Sequence, residues 1–247
     1  MNRYFTIVLF FCLTTILFSQ ELVTDRPDFT ESALVVPLHM IQVESGVEYS
    51  DFQSIEEFSY PNALFRIGVG NNLEVRFGLS GWTNVSVNDN SNNYLNDLLF
   101  EAKYQITKDD VLFPTAIMLV STLPTGDEEV SVESAEIGVK LATGYDINDK
   151  LGLGFNLGFI SVESGGKREI LSLASVAMGI GITDKVSAFI EAYAEVPQNE
   201  VWQPVIDGGF TYLVTSKAQI DLYVGKGLND YTPDLIIGAG FSFQFNY

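Results

Sequence analysis

The chemistry open to this chain is mostly that of carboxylates. Its 247 residues hold 32 Asp and Glu against 13 Lys and Arg, with one histidine, His39, and one cysteine, Cys12. A lone histidine excludes multi-histidine zinc sites, and a lone cysteine excludes a disulfide framework and cysteine-cluster metal sites. A formal net charge of −19 leaves no basic footprint for nucleic acid. Three arrangements remain. Glu191 and Glu195 are a carboxylate pair of the kind used in acid–base catalysis, but their spacing equally lines one face of a strand, the reading preferred here. Asp127-Glu128-Glu129 has the composition of a calcium loop and, more commonly, of a solvated acidic loop. His39 is a candidate base without a partner signature. No catalytic residue, metal site or cofactor follows.

The charges say more by position. Glu44, Glu48, Arg66, Glu74, Arg76, Asp97, Glu101, Lys103, Glu136, Lys140, Glu191, Glu195, Asp207 and Asp221 occupy one phase of segments that alternate with period two. The other phase is apolar. In the last segment it reads Leu235, Ile237, Ala239, Phe241, Phe243, Phe245 and Tyr247, against Gly238, Gly240, Ser242 and Gln244. Such alternation predicts strands, near 39–51, 60–70, 72–84, 95–107, 111–123, 132–145, 151–163, 170–183, 186–196, 204–215, 217–228 and 234–247. Short turns at Asn71-Asn72, Lys108-Asp109-Asp110, 147–150, 183–185 and 215–217 alternate with longer polar loops at 52–59, 85–94, 124–131, 164–169, 197–203 and 229–233. That pattern predicts an all-β fold, a transmembrane antiparallel up-and-down barrel of about twelve strands, with ten and fourteen as the neighbouring even counts.

A soluble barrel alternates too, and energetics separates the two readings. A charge facing lipid costs ~2–4 kcal/mol at mid-depth, acids less. Inverting every strand therefore exceeds a net stability of about 5–15 kcal/mol. The charged phase must face a lumen and the apolar phase outer-membrane lipid. The polar phase is also rich in glycine, which suits a narrow interior where opposite walls meet. Tyr49, Tyr104, Tyr145, Tyr212 and Tyr247 lie toward strand ends, as interfacial girdles require.

Residues 1–20 read as a secretory signal, with Arg3 before an apolar run from Phe5 to Phe18 that is too short to span a membrane as a helix. Residues 21–38 then form an N-terminal segment, and residues 39–247 the barrel. The segment carries Asp25, Arg26, Asp28 and Glu31, with Pro27 and Pro37. It either folds inward as a lumen plug, Arg26 pairing with wall carboxylates such as Glu44 or Glu191, or remains a periplasmic tail ordered by turn chemistry.

The stretch Thr24-Asp25-Arg26-Pro27-Asp28-Phe29-Thr30-Glu31-Ser32 resembles the opening of the phenol-degradation MetA-pathway family of bacterial outer-membrane, transporter-like β-barrels. Asp207-Gly208-Gly209-Phe210-Thr211-Tyr212-Leu213-Val214-Thr215, Gln219-Ile220-Asp221, Pro233-Asp234 and the Gly238–Phe243 ending are similar to the same family. The resemblance implies an outer-membrane barrel that passes small, including aromatic, molecules. The closing Phe243, Phe245 and Tyr247 resemble the signal read by the outer-membrane insertion machinery, with Tyr in place of the usual final Phe.

Passive transport of a small-molecule solute across the Gram-negative outer membrane is the leading expectation. A non-conducting structural or surface-interaction barrel is the alternative, and a membrane-embedded enzyme is weaker still. Ten lumen acids to four bases, by count, favour neutral or cationic solutes.

Overall fold

The computed structural model describes residues 22–88, 90–108 and 111–247. The signal segment and Asp109-Asp110 of the expected turn lie outside these residues. The strands are β1 (Met40–Phe52), β2 (Ile55–Gly70), β3 (Leu73–Leu79), β4 (Trp82–Val87), β5 (Asn90–Leu95), β6 (Leu98–Gln105) and β7 (Thr115–Leu123). They continue with β8 (Glu136–Asn148), β9 (Leu151–Ser164), β10 (Lys167–Gly181), β11 (Val186–Pro197), β12 (Gln203–Thr215), β13 (Ala218–Gly227) and β14 (Leu235–Asn246).

All pairings are antiparallel, and β1 pairs with both β14 and β2, which closes the sheet. β4 continues β3 across Ser80-Gly81, and β5 leads into β6 across Asn96-Asp97, so the 14 strands make a twelve-staved barrel. The break has a local cause. Pro61 has no N–H to give the ladder, and the β1–β2 register shifts beside it, between Gly46 and Glu48. Gly81 turns at φ 63, and a Cβ there would lie 2.3 Å from the Pro61 carbonyl oxygen.

The staves differ from the sequence expectation at their ends. The stretches 52–59 and 164–169, and the described residues of 85–94, are not long loops but strand continuations. Gln53-Ser54 and Gly165-Gly166 close two-residue hairpins with φ positive at both positions, the geometry that matches strand twist. Beyond the membrane both faces of a hairpin meet water, so hydrophobic alternation fades where pairing persists. Conversely, β6 ends at Gln105 and β7 begins only at Thr115, a longer gap than expected, with Pro114 just before β7. Short turns are thus not confined to one rim.

The barrel is apolar outside and polar inside. Phe100, Ile137 and Leu222 are more than half exposed, whereas Arg66, Glu74 and Lys103 are at most 1% exposed. β13 shows the rule residue by residue: Gln219, Asp221 and Tyr223 are buried, Ile220, Leu222 and Val224 exposed. In water this surface would be untenable. In lipid it satisfies both solvents, because closure pairs the backbone from strand to strand around the ring.

Replacing Leu222 with Arg should prevent stable insertion, at a cost of ~2–4 kcal/mol. Glu136→Arg, on the inner face near Asp97 and Glu195, should fold normally. Heat-modifiable gel mobility after refolding into vesicles reads both, and equal behaviour of the two variants would refute the facing.

Candidate functional site

The inward residues gather around the N-terminal segment. Residues 22–38 contain no regular element, yet they hydrogen-bond to β1, β2, β3, β6, β9, β10, β11 and β13, which places them inside the ring. An irregular backbone away from water needs partners for its N–H and C=O groups, and wall side chains supply them. Glu44 accepts the N–H groups of Asp25 and Arg26, the latter at 2.9 Å. Glu191 accepts those of Phe29 and Thr30 at 2.7 and 2.6 Å. Glu74 accepts Val36 N–H at 2.6 Å. Asn156 both accepts from Glu31 N–H and donates to its carbonyl oxygen, at 2.7 and 3.0 Å.

Side-chain charges complete the docking. Arg26 pairs with Asp221 at 2.8 Å and lies over the Tyr223 ring, 5.9 Å from its centre. The sequence expectation that Arg26 pairs with Glu44 or Glu191 is corrected: its guanidinium binds Asp221, and those two carboxylates take backbone N–H groups instead. Asp25 accepts from Arg76, lies 3.1 Å from Arg66 and 3.3 Å from Lys103, and caps Ser32 N–H at 2.8 Å. Glu31 accepts from Arg76 and from Lys140, the latter at 2.9 Å. Arg66 also binds Glu44 and Glu74 at 2.9 and 3.1 Å, and Arg76 reaches Glu101 at 3.2 Å. Glycine makes room for Arg26. Gly46 and Gly240 are register partners across the β1–β14 seam, and a Cβ on either would come within 2.6 Å of the Arg26 guanidinium group.

The wall bases that hold the segment lie on one side of the lumen. Arg66, Arg76, Lys103 and Lys140 stand on the β2–β3–β6–β8 side. Glu48, Glu191, Asp207 and Asp221 stand on β1 and β11–β13, where Tyr223 donates to Glu48. Glu136 and Glu195 lie nearer the loop end, outside the ion pairs to the segment. Asp97 is not a strand-centre residue. It precedes β6 and accepts four hydrogen bonds from Thr125, Gly126, Ser131 and Val132, pinning the loop between β7 and β8. Asp127 of the acidic loop accepts Leu95 N–H at 2.8 Å. His39, at φ 65, makes an edge contact with Tyr247.

Counting charges overlooks part of the docking surface. Gln42, Asn156, Ser175 and Gln219 share the charged phase and bind residues 23–31, and Phe29 stacks on Tyr193 at 4.3 Å. Uncharged polar residues of that phase were a usable signal; the stack had none. Two cavities flank the segment, both lined by Asp28 and Glu31. One of about 430 Å³ reaches Asn62, Ser80 and Leu99, and one of about 270 Å³ reaches Tyr145, Asp146 and Gly179 near the opposite rim.

The docked carboxyls differ in acidity. Burial raises Glu31, but Lys140 and Arg76 outweigh it and hold the group at about 2. Burial likewise raises Asp25, and Arg66, Lys103 and Arg76 hold it far below the carboxylate range. Asp28 is pushed well above that range by burial and by Glu191. A depressed docked-state value favours docking above the free carboxyl's value of about 4 and loses that contribution as pH falls through the docked value. Asp28 has the opposite sign: its charged form opposes docking at neutral pH. Amide hydrogen exchange of residues 22–36, corrected for intrinsic rate, should therefore accelerate on acidification from pH 4 toward 2. Asp28→Asn, which removes the charge that opposes docking, should slow it at pH 7.

No curated protein matches the chain. Among solved structures it is similar to the COG4313 outer membrane channel of Pseudomonas putida F1, at 12% identity and TM-score 0.65, over 90% of this chain and 100% of that one. It is similar to the NanC porin, at 13% identity and TM-score 0.60, over 82% and 98% of the two chains. For the KdgM porin the values are 10%, 0.58, 83% and 99%. These likenesses establish the fold, that of bacterial outer-membrane channels and porins. A family profile described as "Putative MetA-pathway of phenol degradation" matches residues 24–245, from the docked segment to the closing strand, and the chain belongs to that family.

Proposed function

We propose that this chain is a non-catalytic outer-membrane channel for passive movement of small molecules, with residues 21–38 as a lumen plug released from a secretory signal at 1–20. The observation that carries the reading is the pair of cavities, about 430 and 270 Å³, that flank the docked segment and share Asp28 and Glu31 in their linings. Twelve strands make a barrel wider than the eight-stranded forms that side chains fill, so the segment occupies space that would otherwise pass solute. Its many polar anchors are side-chain to backbone bonds, which can be exchanged for water one at a time. The lumen residues act by lining: Glu48, Glu191, Glu195 and Asp207 on one side, with Glu101 and Glu136 opposite, favour neutral, aromatic or cationic solutes, while the bases hold the segment. Partners are outer-membrane lipid, the transported solute, and the insertion machinery through Phe243, Phe245 and Tyr247.

Deleting residues 22–36 should raise single-channel conductance in planar bilayers several-fold over the intact protein. Arg26→Ala, which removes the Asp221 pair, should give brief openings of the same size. A folded deletion variant that passes no current would overturn the channel reading and favour a sealed, structural barrel.

A further inference from the structure

From the barrel wall, Asp25 and Glu31 are two carboxylates presented on a tether to a basic pocket. Arg76 splits its guanidinium fork between them, and Lys103 and Lys140 each hold one. Among the described residues, Lys103 and Lys140 form ion pairs with those two carboxylates alone. Arg66, Arg76 and Lys103 project from β2, β3 and β6, so the pocket's cations stay with the wall when the segment moves. The wall itself sets only three carboxylates, Glu44, Glu74 and Glu101, against the four cations. Without the segment the four cations outnumber the three carboxylates and Lys103 and Lys140 lose their ion-pair partners, which leaves a net positive site for an anion.

We propose that this pocket binds a small dicarboxylate, which replaces Asp25 and Glu31 and so releases the segment. The two native carboxylates share one guanidinium, whose planar fork suits two closely spaced carboxylates. There is room for such an anion: the cavity of about 430 Å³ is lined by Lys140, Glu31 and Arg76. The Lys140 and Glu31 side chains are 18% and 12% exposed, so an entering anion meets that pair first and the buried Asp25 cluster afterwards. This inference rests on the channel reading, since release matters only if it opens a path.

The test uses the full chain with Cys12→Ser and the buried Ala33→Cys as a reporter that reacts with a maleimide only after undocking. Succinate should accelerate labelling about tenfold with saturation. Half-effect is expected on the order of 10 mM, because tethered groups compete at millimolar effective concentration or above. Succinamide, and sodium chloride at equal ionic strength, should have little effect. Lys140→Met should remove the succinate response and Lys140→Arg retain it; Arg76→Lys, which loses the fork, should weaken it. Labelling that succinate accelerates no more than matched salt overturns the proposal. If succinate accelerates labelling but the segment-deleted barrel carries no current, the pocket stands and the channel reading fails. If that barrel conducts but succinate leaves labelling unchanged, the reverse holds.

Discussion

Three cations, Arg66, Arg76 and Lys103, sit inside this barrel with almost no exposure to water, and the organisation of the lumen follows from neutralising them. Charge taken out of water is tolerated only with close, well-directed partners. The wall provides Glu44 and Glu74 to Arg66 and Glu101 to Arg76, while Asp25 comes from outside the sheet and touches all three cations. An otherwise featureless segment thereby acquires one position, and its backbone groups find Glu44, Glu191, Asn156 and Glu74 at hydrogen-bond distance.

The same constraint shapes the sheet. Room for Arg26 requires Gly46 and Gly240 to face each other across the closing seam, so the strand register there is tied to the segment's seat. Confinement of Arg66, Arg76, Lys103 and Lys140 to β2–β3–β6–β8, opposite Glu191, Asp207 and Asp221 on β11–β13, gives the lumen a transverse polarity. The segment spans it with Glu31 toward the basic side and Arg26 toward Asp221. A net count of acids over bases conceals this, because a count carries no position.

Period-two alternation was strong enough to reveal twelve staves, their facing and the lipid environment, since each charge on the wrong face carries its own penalty. It failed where that penalty vanishes. Outside the membrane, at 52–59, 85–94 and 164–169, neither face is apolar, and pairing is sustained by backbone hydrogen bonds and two-residue turns. Asp97 shared the charged parity but caps a loop, because parity marks a face only while the strand is regular.

The sequence by itself determined the closed all-β architecture, which side of each strand meets lipid, and which charges are available inside. Those properties depend on neighbours along the chain and on two solvents of opposite preference. Only the tertiary structure decided which charge meets which: that Arg26 takes Asp221, that Asp25 joins three cations, and that Glu191 serves two backbone N–H groups. Such pairings join residues up to 195 positions apart, brought together by the curvature of a closed sheet, and strand alternation carries no information about distances across a barrel.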